Sequence, residues 1–175
     1  MAAPLFTARL GLRPLEAHDP PRLFAFLSNA QAMQHTYIAT SLAECTRRLQ
    51  TYEAQRSQHG FAPWVIEARA SGDVIGWGGL SIDPDEPHWG PEVSYAFSPA
   101  VWGQGLATEL VMASRDHAFA RLGLGELRAF ARPENQASVR VLTKCGFQRL
   151  RFEPSLQRDH FRIAAAPGPQ TGASA

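Results

Sequence analysis

The sequence predicts a single α/β domain, and three observations carry that expectation. Strand-like and helix-like periods alternate along the chain in the order β α α β β β α β α β β. Short strand runs cluster in mid-chain around a hairpin signal, so a block of antiparallel strands is expected there. A chain of 175 residues that is 45% hydrophobic and 19% charged fits one domain with a sizeable core, since domains commonly run ~100–200 residues.

Each element has a local reason. "LFTARLGLRPL" alternates apolar and polar positions and reads as one strand. "DPPRLFAFLSNAQAM" places prolines at a helix entrance, with Leu23, Phe24, Phe26 and Leu27 at helical spacing. The second helix, "SLAECTRRLQTYEAQRSQHG", has Ser41 as N-cap, Glu44 as its capping-box partner and Gly60 as terminator. "PWVIEAR" and "VIGWGGLSI" are strands separated by the turn signal "ASGD", and "PEVSYAF" follows as a third. A helix then runs from "GQGLATEL" to Gly123, with Leu106, Leu110, Met112 or Ala113, and Phe119 on one broad side. "GELRAFARP" is a strand, "NQASVRVLTKCG" a short helix, and "FQRLRFEP" and "RDHFRIA" the last two strands. Residues 1–164 form the expected domain. Residues 165–175, "AAPGPQTGASA", carry no charge and few groups to bury, and read as a loose tail.

Composition removes several function classes. A formal net charge of +1, with 17 basic residues scattered among 16 acidic ones, provides no field for nucleic acid. The N-terminus lacks the charged-then-apolar order of a signal peptide, and no stretch approaches the ~20 apolar residues of a membrane span. Cys45 and Cys145 are two isolated cysteines, without metal or disulfide spacing, so a reduced cytoplasm is the expected setting. Six histidines without an H-E-x-x-H pattern imply no metal site.

"SPAVWGQGLATEL", residues 98–110, joins a strand to a helix with Gly103, Gly105 and Ala107 one residue apart. The first N–H groups of a helix have no intrahelical partner, and the dipole there is positive, so the position attracts anions such as phosphates. Gly103 and Gly105 would remove side chains and permit left-handed backbone, Ala107 would keep the first turn bare, and Thr108 would add a hydroxyl donor. Alternatively, the glycines only punctuate a turn. The loop lacks the Gly-Lys-Ser/Thr of a P-loop, and it comes too late, after antiparallel strands, for a dinucleotide fold.

"WGQGLA", residues 102–107, resembles the end of the Arg/Gln-x-x-Gly-x-Gly/Ala acyl-CoA loop of the GNAT N-acetyltransferase superfamily, with Trp102 where Arg or Gln is usual. The Trp-Gly-x-Gly-x-Ala-x-Glu run, preceded by "EVSY", is similar to the branch of ribosomal-protein alanine and serine N-acetyltransferases. "NQASVRVLTKCGF", residues 135–147, resembles the superfamily's Asn-x-x-Ser/Ala...Gly-Phe segment. The resemblance implies a mixed, mostly antiparallel central sheet flanked by helices and splayed between the family's fourth and fifth strands. It implies acetyl-CoA as cosubstrate, a primary amine on a small molecule or a protein N-terminus as acceptor, and direct attack without a covalent enzyme intermediate. A non-catalytic acyl-CoA-binding module with a protein-interaction role is the alternative. Family members are often dimers, so a homodimer is expected too.

The same resemblance distributes roles over residues. Phe97 and Ser98 at the end of the splayed strand, Gly103, Gln104, Gly105, Leu106, Ala107 and Thr108 in the loop, and Asn135 at the next helix start would bind acetyl-CoA. Glu92 would accept the proton of the amine; otherwise it is a solvated charge or a structural hydrogen-bonding group. The family tyrosine that protects the leaving thiolate is absent, because Leu142 occupies its place. Ser138 matches the serine of the ribosomal-protein branch, or is merely a small first-turn residue. Asn135 is also a natural N-cap. Trp64, Trp77, His88, Trp89, His160, His35, Tyr37 and the region of Glu153 are candidates for the acceptor groove, each with packing as its alternative.

Overall fold

The computed structural model describes residues 4–166. Eight strands and four helices follow one another: β1 (Leu5–Phe6), β2 (Leu10–Arg13), α1 (Pro20–Leu27), α2 (Leu42–His59), β3 (Trp64–Ala68), β4 (Val74–Ser81), β5 (Glu92–Phe97), α3 (Leu106–Ala120), β6 (Glu126–Ala131), α4 (Gln136–Lys144), β7 (Gln148–Glu153) and β8 (Arg158–Ala164). They form one open sheet in the order β1-β2-β3-β4-β5-β6-β8-β7. All neighbours are antiparallel except β5 and β6.

The expected first strand is two strands. β1 folds back on β2, pairing Leu5 with Leu12, around a turn in which the Thr7 N–H donates to the Leu10 carbonyl at 2.9 Å. Alternating polarity continues across this turn, and no Gly or Pro marks it. The helix caps follow the local signals more closely. The Ser41 hydroxyl accepts from the Glu44 N–H, and Gly60 closes α2 with φ 81°. Pro20 and Pro21 open α1, but the preceding Asp19 does not cap it. Its fully buried carboxylate takes two bonds from Arg13, which also reaches Glu67 and so ties β2, α1 and β3 together. α1 stops at Leu27, well short of Met33.

Period-two alternation divides the sheet into two faces. Val65, Trp77 and Ala96 pack with α1 and α2 around Leu23, Phe26 and Leu49. Trp64, Ile66 and Phe97 pack under α3 with Leu106 and Leu110. Val93, Leu127, Ala129 and Phe161 pack with Val111 of α3 and Leu142 of α4. Val111 takes the core place on α3, while Met112 is exposed. The expected tail lies outside the described residues except for 165 and 166, and the Ala165 N–H still donates to the Gly125 carbonyl at 2.9 Å.

The parallel junction positions the site. β5 and β6 register only at Glu92 opposite Arg128; beyond it they part. With the Ser98 N–H donating to Ile75 on β4 at 2.9 Å, antiparallel alternation turns the even residues of β5 toward β4 and the odd ones toward the gap. Tyr95 and Phe97 therefore present their backbone edge to the opening. β4 can lie this close because of Gly78, where a Cβ would stand 2.6 Å from Tyr95 Cα and 2.5 Å from the Ser94 carbonyl oxygen.

Candidate active site

The loop before α3 is built to present bare backbone. Gly103 and Gly105 have φ of 75° and 77°, the left-handed region that side chains disfavour. No side chain caps α3, and none of the N–H groups of residues 103–108 finds an acceptor among the described residues. Glu109, one residue further, holds this arrangement in place. Its carboxylate accepts from the Thr7 hydroxyl at 2.5 Å, the Arg9 N–H at 2.8 Å and the Arg9 guanidinium at 2.7 Å. Arg9 also donates to the Gln104 carbonyl at 2.7 Å. Burial pushes the Glu109 carboxyl up, but the Thr7 and Arg9 donors outweigh it and hold it below the usual range. Trp102 fastens the loop's other side by donating its indole N–H to the Phe97 carbonyl at 3.0 Å.

Below the loop opens a cleft of about 630 Å³ that follows the gap between β5 and β6. Phe97, Gly103, Gly105, Leu106, Ala107 and Thr108 line one wall, and Asn135 and Ser138 the other. Asn135 caps α4, its side chain accepting from the Ser138 N–H at 3.1 Å, and still borders the cleft. Ser98 and Gln104 do not line it: the Ser98 N–H is bonded to Ile75, and the Gln104 carbonyl accepts from Arg9. Arg140 and Lys144 add positive charge to the α4 side.

Glu92 borders a second cavity of about 170 Å³ under α1 and α2. Thr36, Ser94, Tyr95, Ala96 and Arg158 line both spaces, so the two meet at β5. Burial, and secondarily Asp83, raise the Glu92 carboxyl to about 8, with Arg158 pulling the other way. The Tyr95 ring leaves the opposite face of β5. Burial pushes its phenol up to about 12, and the facing Ser138 hydroxyl lowers it slightly. That phenol is buried without a hydrogen-bond partner.

Several groove candidates lie elsewhere. Trp64 is core, edge-on to His117 at 5.5 Å. His160 is buried and stacked on Phe130 at 4.9 Å, and Trp89 covers that pair. Glu153 pairs with Arg151, and His88 is exposed. None of these lines either cavity. Trp77 and Tyr37 do line the small one, and His35 the large one. The sequence patterns assign no role to Tyr95 or Arg158. Period-two alternation along "EVSYAF" already puts Tyr95 opposite Glu92, whereas no local signal brings Arg158 across from β8.

Cys45 and Cys145 are free and buried. Burial raises both thiols, Cys45 to about 11, which disfavours the thiolate a covalent relay would need. Among the described residues, no group of three or more metal-ligating side chains occurs, and no helix is long and apolar enough to cross a membrane.

Comparisons with known proteins agree with this geometry. Residues 9–148 match the family described as Acetyltransferase (GNAT) domain. The uncharacterized N-acetyltransferase YoaA of Bacillus subtilis is 30% identical over 147 residues, covering 83% of this chain and 82% of that protein. An acetyltransferase from Agrobacterium tumefaciens superimposes with a TM-score of 0.80 at 25% identity, over 94% of this chain and 96% of the other. A ribosomal-protein-serine acetyltransferase assigned in Vibrio cholerae gives 0.75 at 19%, over 93% and 98%. AAC(6')-Ib, solved with ribostamycin and coenzyme A, gives 0.73 at 18%, over 89% and 93%. A glycine loop at a bare helix start, a sheet opened beside it and a family match over most of the chain lead to one assignment: this protein belongs to the GNAT acetyltransferase family.

Proposed function

We propose that the protein moves an acetyl group from acetyl-CoA to a primary amine by direct attack, with Glu92 and Ser138 as catalytic residues. The observation that carries this reading is the meeting of the two cavities at β5, with a carboxyl on one side and hydroxyls on the other. The residues present fit acetyl-CoA. Free N–H groups at residues 103–108 suit a pyrophosphate, the cations of α4 suit further phosphate charge, and the open edge of β5 at Tyr95 and the Phe97 N–H suits an amide-bearing chain that pairs as an added strand.

Acetyl-CoA supplies an activated thioester, and the chain's residues supply positioning and proton transfer. Glu92, in its ionised form, takes a proton from the incoming ammonium, directly or through water, and leaves a neutral nucleophile. Its raised pKa makes it a base matched to near-neutral pH. The amine nitrogen then bonds to the acetyl carbon, and the carbon–sulfur bond breaks. Ser138 donates a hydrogen bond to the departing sulfur, and Tyr95 stands behind it as a second hydroxyl. The sulfur leaves with one proton and a second passes to solvent, so a protonated amine yields amide, thiol and one released proton.

Thiol release from acetyl-CoA across a panel of amines tests the reading, beside calorimetric titration with CoA. Amine-dependent release is the expected result. Tight CoA binding with no release from any amine would favour the binding module instead.

A further inference from the structure

We infer that the small cavity is an acceptor site for free amino acids, with Arg158 holding the carboxylate while Glu92 and Asp83 face the amine. This rests on the acetyl-transfer reading and names its substrate class.

Size is the first constraint. About 170 Å³ is the share of roughly six waters and falls below the ~300–1,000 Å³ of drug-sized pockets. An amino acid of modest side chain fits within it. The walls give the second. Leu27, Met33, Leu49, Tyr52 and Trp77 provide an apolar lining, with Trp77 edge-on to Tyr52 at 5.1 Å, which suits an apolar side chain.

Charge is the third and most specific. Two guanidinium groups, Arg48 and Arg158, and two carboxyl groups, Asp83 and Glu92, line this space. Arg48 is engaged with Asp85 at 3.3 Å and lies over the Tyr37 and Tyr52 rings. Arg158 and Glu92 form no ion pair with any described residue. Arg158 belongs to the β8 face shared with His160 and Phe130, and it reaches the junction of both cavities from beyond the end of β6. An uncommitted guanidinium and an uncommitted carboxyl facing one small apolar space match a molecule that carries a carboxylate and an amine at a fixed short separation. A plain amine brings no carboxylate for Arg158 to bind.

The transfer balances as before: the α-nitrogen gains the acetyl carbon, the thioester carbon–sulfur bond breaks, and the carboxylate is unchanged. Steady-state thiol release should be compared for L-methionine, L-methioninamide and 3-(methylthio)propylamine, which differ only at the carboxyl position. The expected result is kcat/KM for the acid at least ~10-fold above both analogues, and an acid-to-amide ratio near one in Arg158→Gln, with partial return in Arg158→Lys. Thermal melts of both variants report that they fold. An acid no better than its amide, or a preference that survives Arg158→Gln, overturns the inference while leaving acetyl transfer standing. Absence of thiol release from every amine, with CoA bound, overturns both.

Discussion

Replacing Glu92 by Gln keeps the shape of the side chain and removes its proton-accepting function, and two consequences can be worked from the structure. With a folded-state pKa of about 8, about a tenth of the enzyme carries the ionised carboxylate at pH 7 and about nine-tenths at pH 9. The wild-type to variant ratio of kcat/KM, in which titration of the amine cancels, should therefore rise ~10-fold across that interval. At its plateau the ratio should reach ~10²-fold. The second consequence concerns stability. Folding raises this carboxyl from 4.5, so between pH 4.5 and about 8 the folded state binds more protons than the unfolded one, and wild-type stability falls as pH rises. At ~1.36 kcal/mol per unit, the loss amounts to a few kcal/mol at pH 9. Gln has no proton to lose, so Glu92→Gln should gain on wild type in urea denaturation at pH 9 relative to pH 5. Parallel pH–rate profiles, together with an equal stability difference at both pH values, would refute the assignment of Glu92 as a buried base.

Three further outcomes follow from the other parts of the site. Gly105→Val, at φ 77°, should weaken CoA binding ~10-fold or more by calorimetry, since valine resists left-handed backbone and its bulk covers the N–H groups; unchanged affinity in a folded variant would remove the loop from the site. Ser138→Ala should preserve the fold and CoA affinity but lower kcat ~10–10³-fold with every acceptor, and Tyr95→Phe in that background should cost less than in wild type if the two hydroxyls act together, which a double-mutant cycle reads directly. Glu109→Ala leaves Thr7 and Arg9 without their acceptor and should cost ~1–3 kcal/mol of stability in urea melts, while also raising the Kd for CoA, because Arg9 then no longer anchors Gln104.

Wherever periodicity was strong, the chain order was legible. Ser41, Glu44, Gly60, Asn135 and Gly146 punctuate elements by local rules, and the structure follows them. The division of the first strand was not: Thr7 and Leu10 close the turn on each other without a Gly or Pro to mark it, and Glu109, which braces residues 7 and 9, lies about a hundred residues away. For the same reason Glu109 could be seen in the loop pattern but not understood: its partners belong to the opposite end of the chain. The glycine loop and Glu92 are consecutive features of one strand–loop–helix segment and could be read together. Arg158 could not, since its place depends on β8 inserting between β6 and β7, a topological choice without a local signature. The aromatic candidates divided according to face. Trp77 lies on the α1/α2 face and Trp64 on the α3 face, and only the first borders a cavity.

The chemistry depends on the register of one strand more than on any single side chain. Glu92 and Ser94 leave one face of β5, and Tyr95 and Phe97 the other, so the carboxyl proposed as proton acceptor and the Tyr95 hydroxyl stand on opposite sides of the backbone edge where acetyl transfer is proposed. A slip of one residue would exchange the faces and place the carboxyl under α3, among the groups meant for the leaving sulfur. β4 opposes that slip along the whole of β5, from Ser81 opposite Glu92 to Gly76 opposite Phe97. Gly78 adds a steric condition, since only a residue without Cβ fits against Ser94 and Tyr95 at that separation. On the other side β6 holds only Glu92 and then diverges. The proposed reaction needs both firm pairing along one edge and release along the other: the first keeps the Glu92 carboxyl and the Tyr95 hydroxyl on separate faces, and the second leaves the backbone between them open to the thioester.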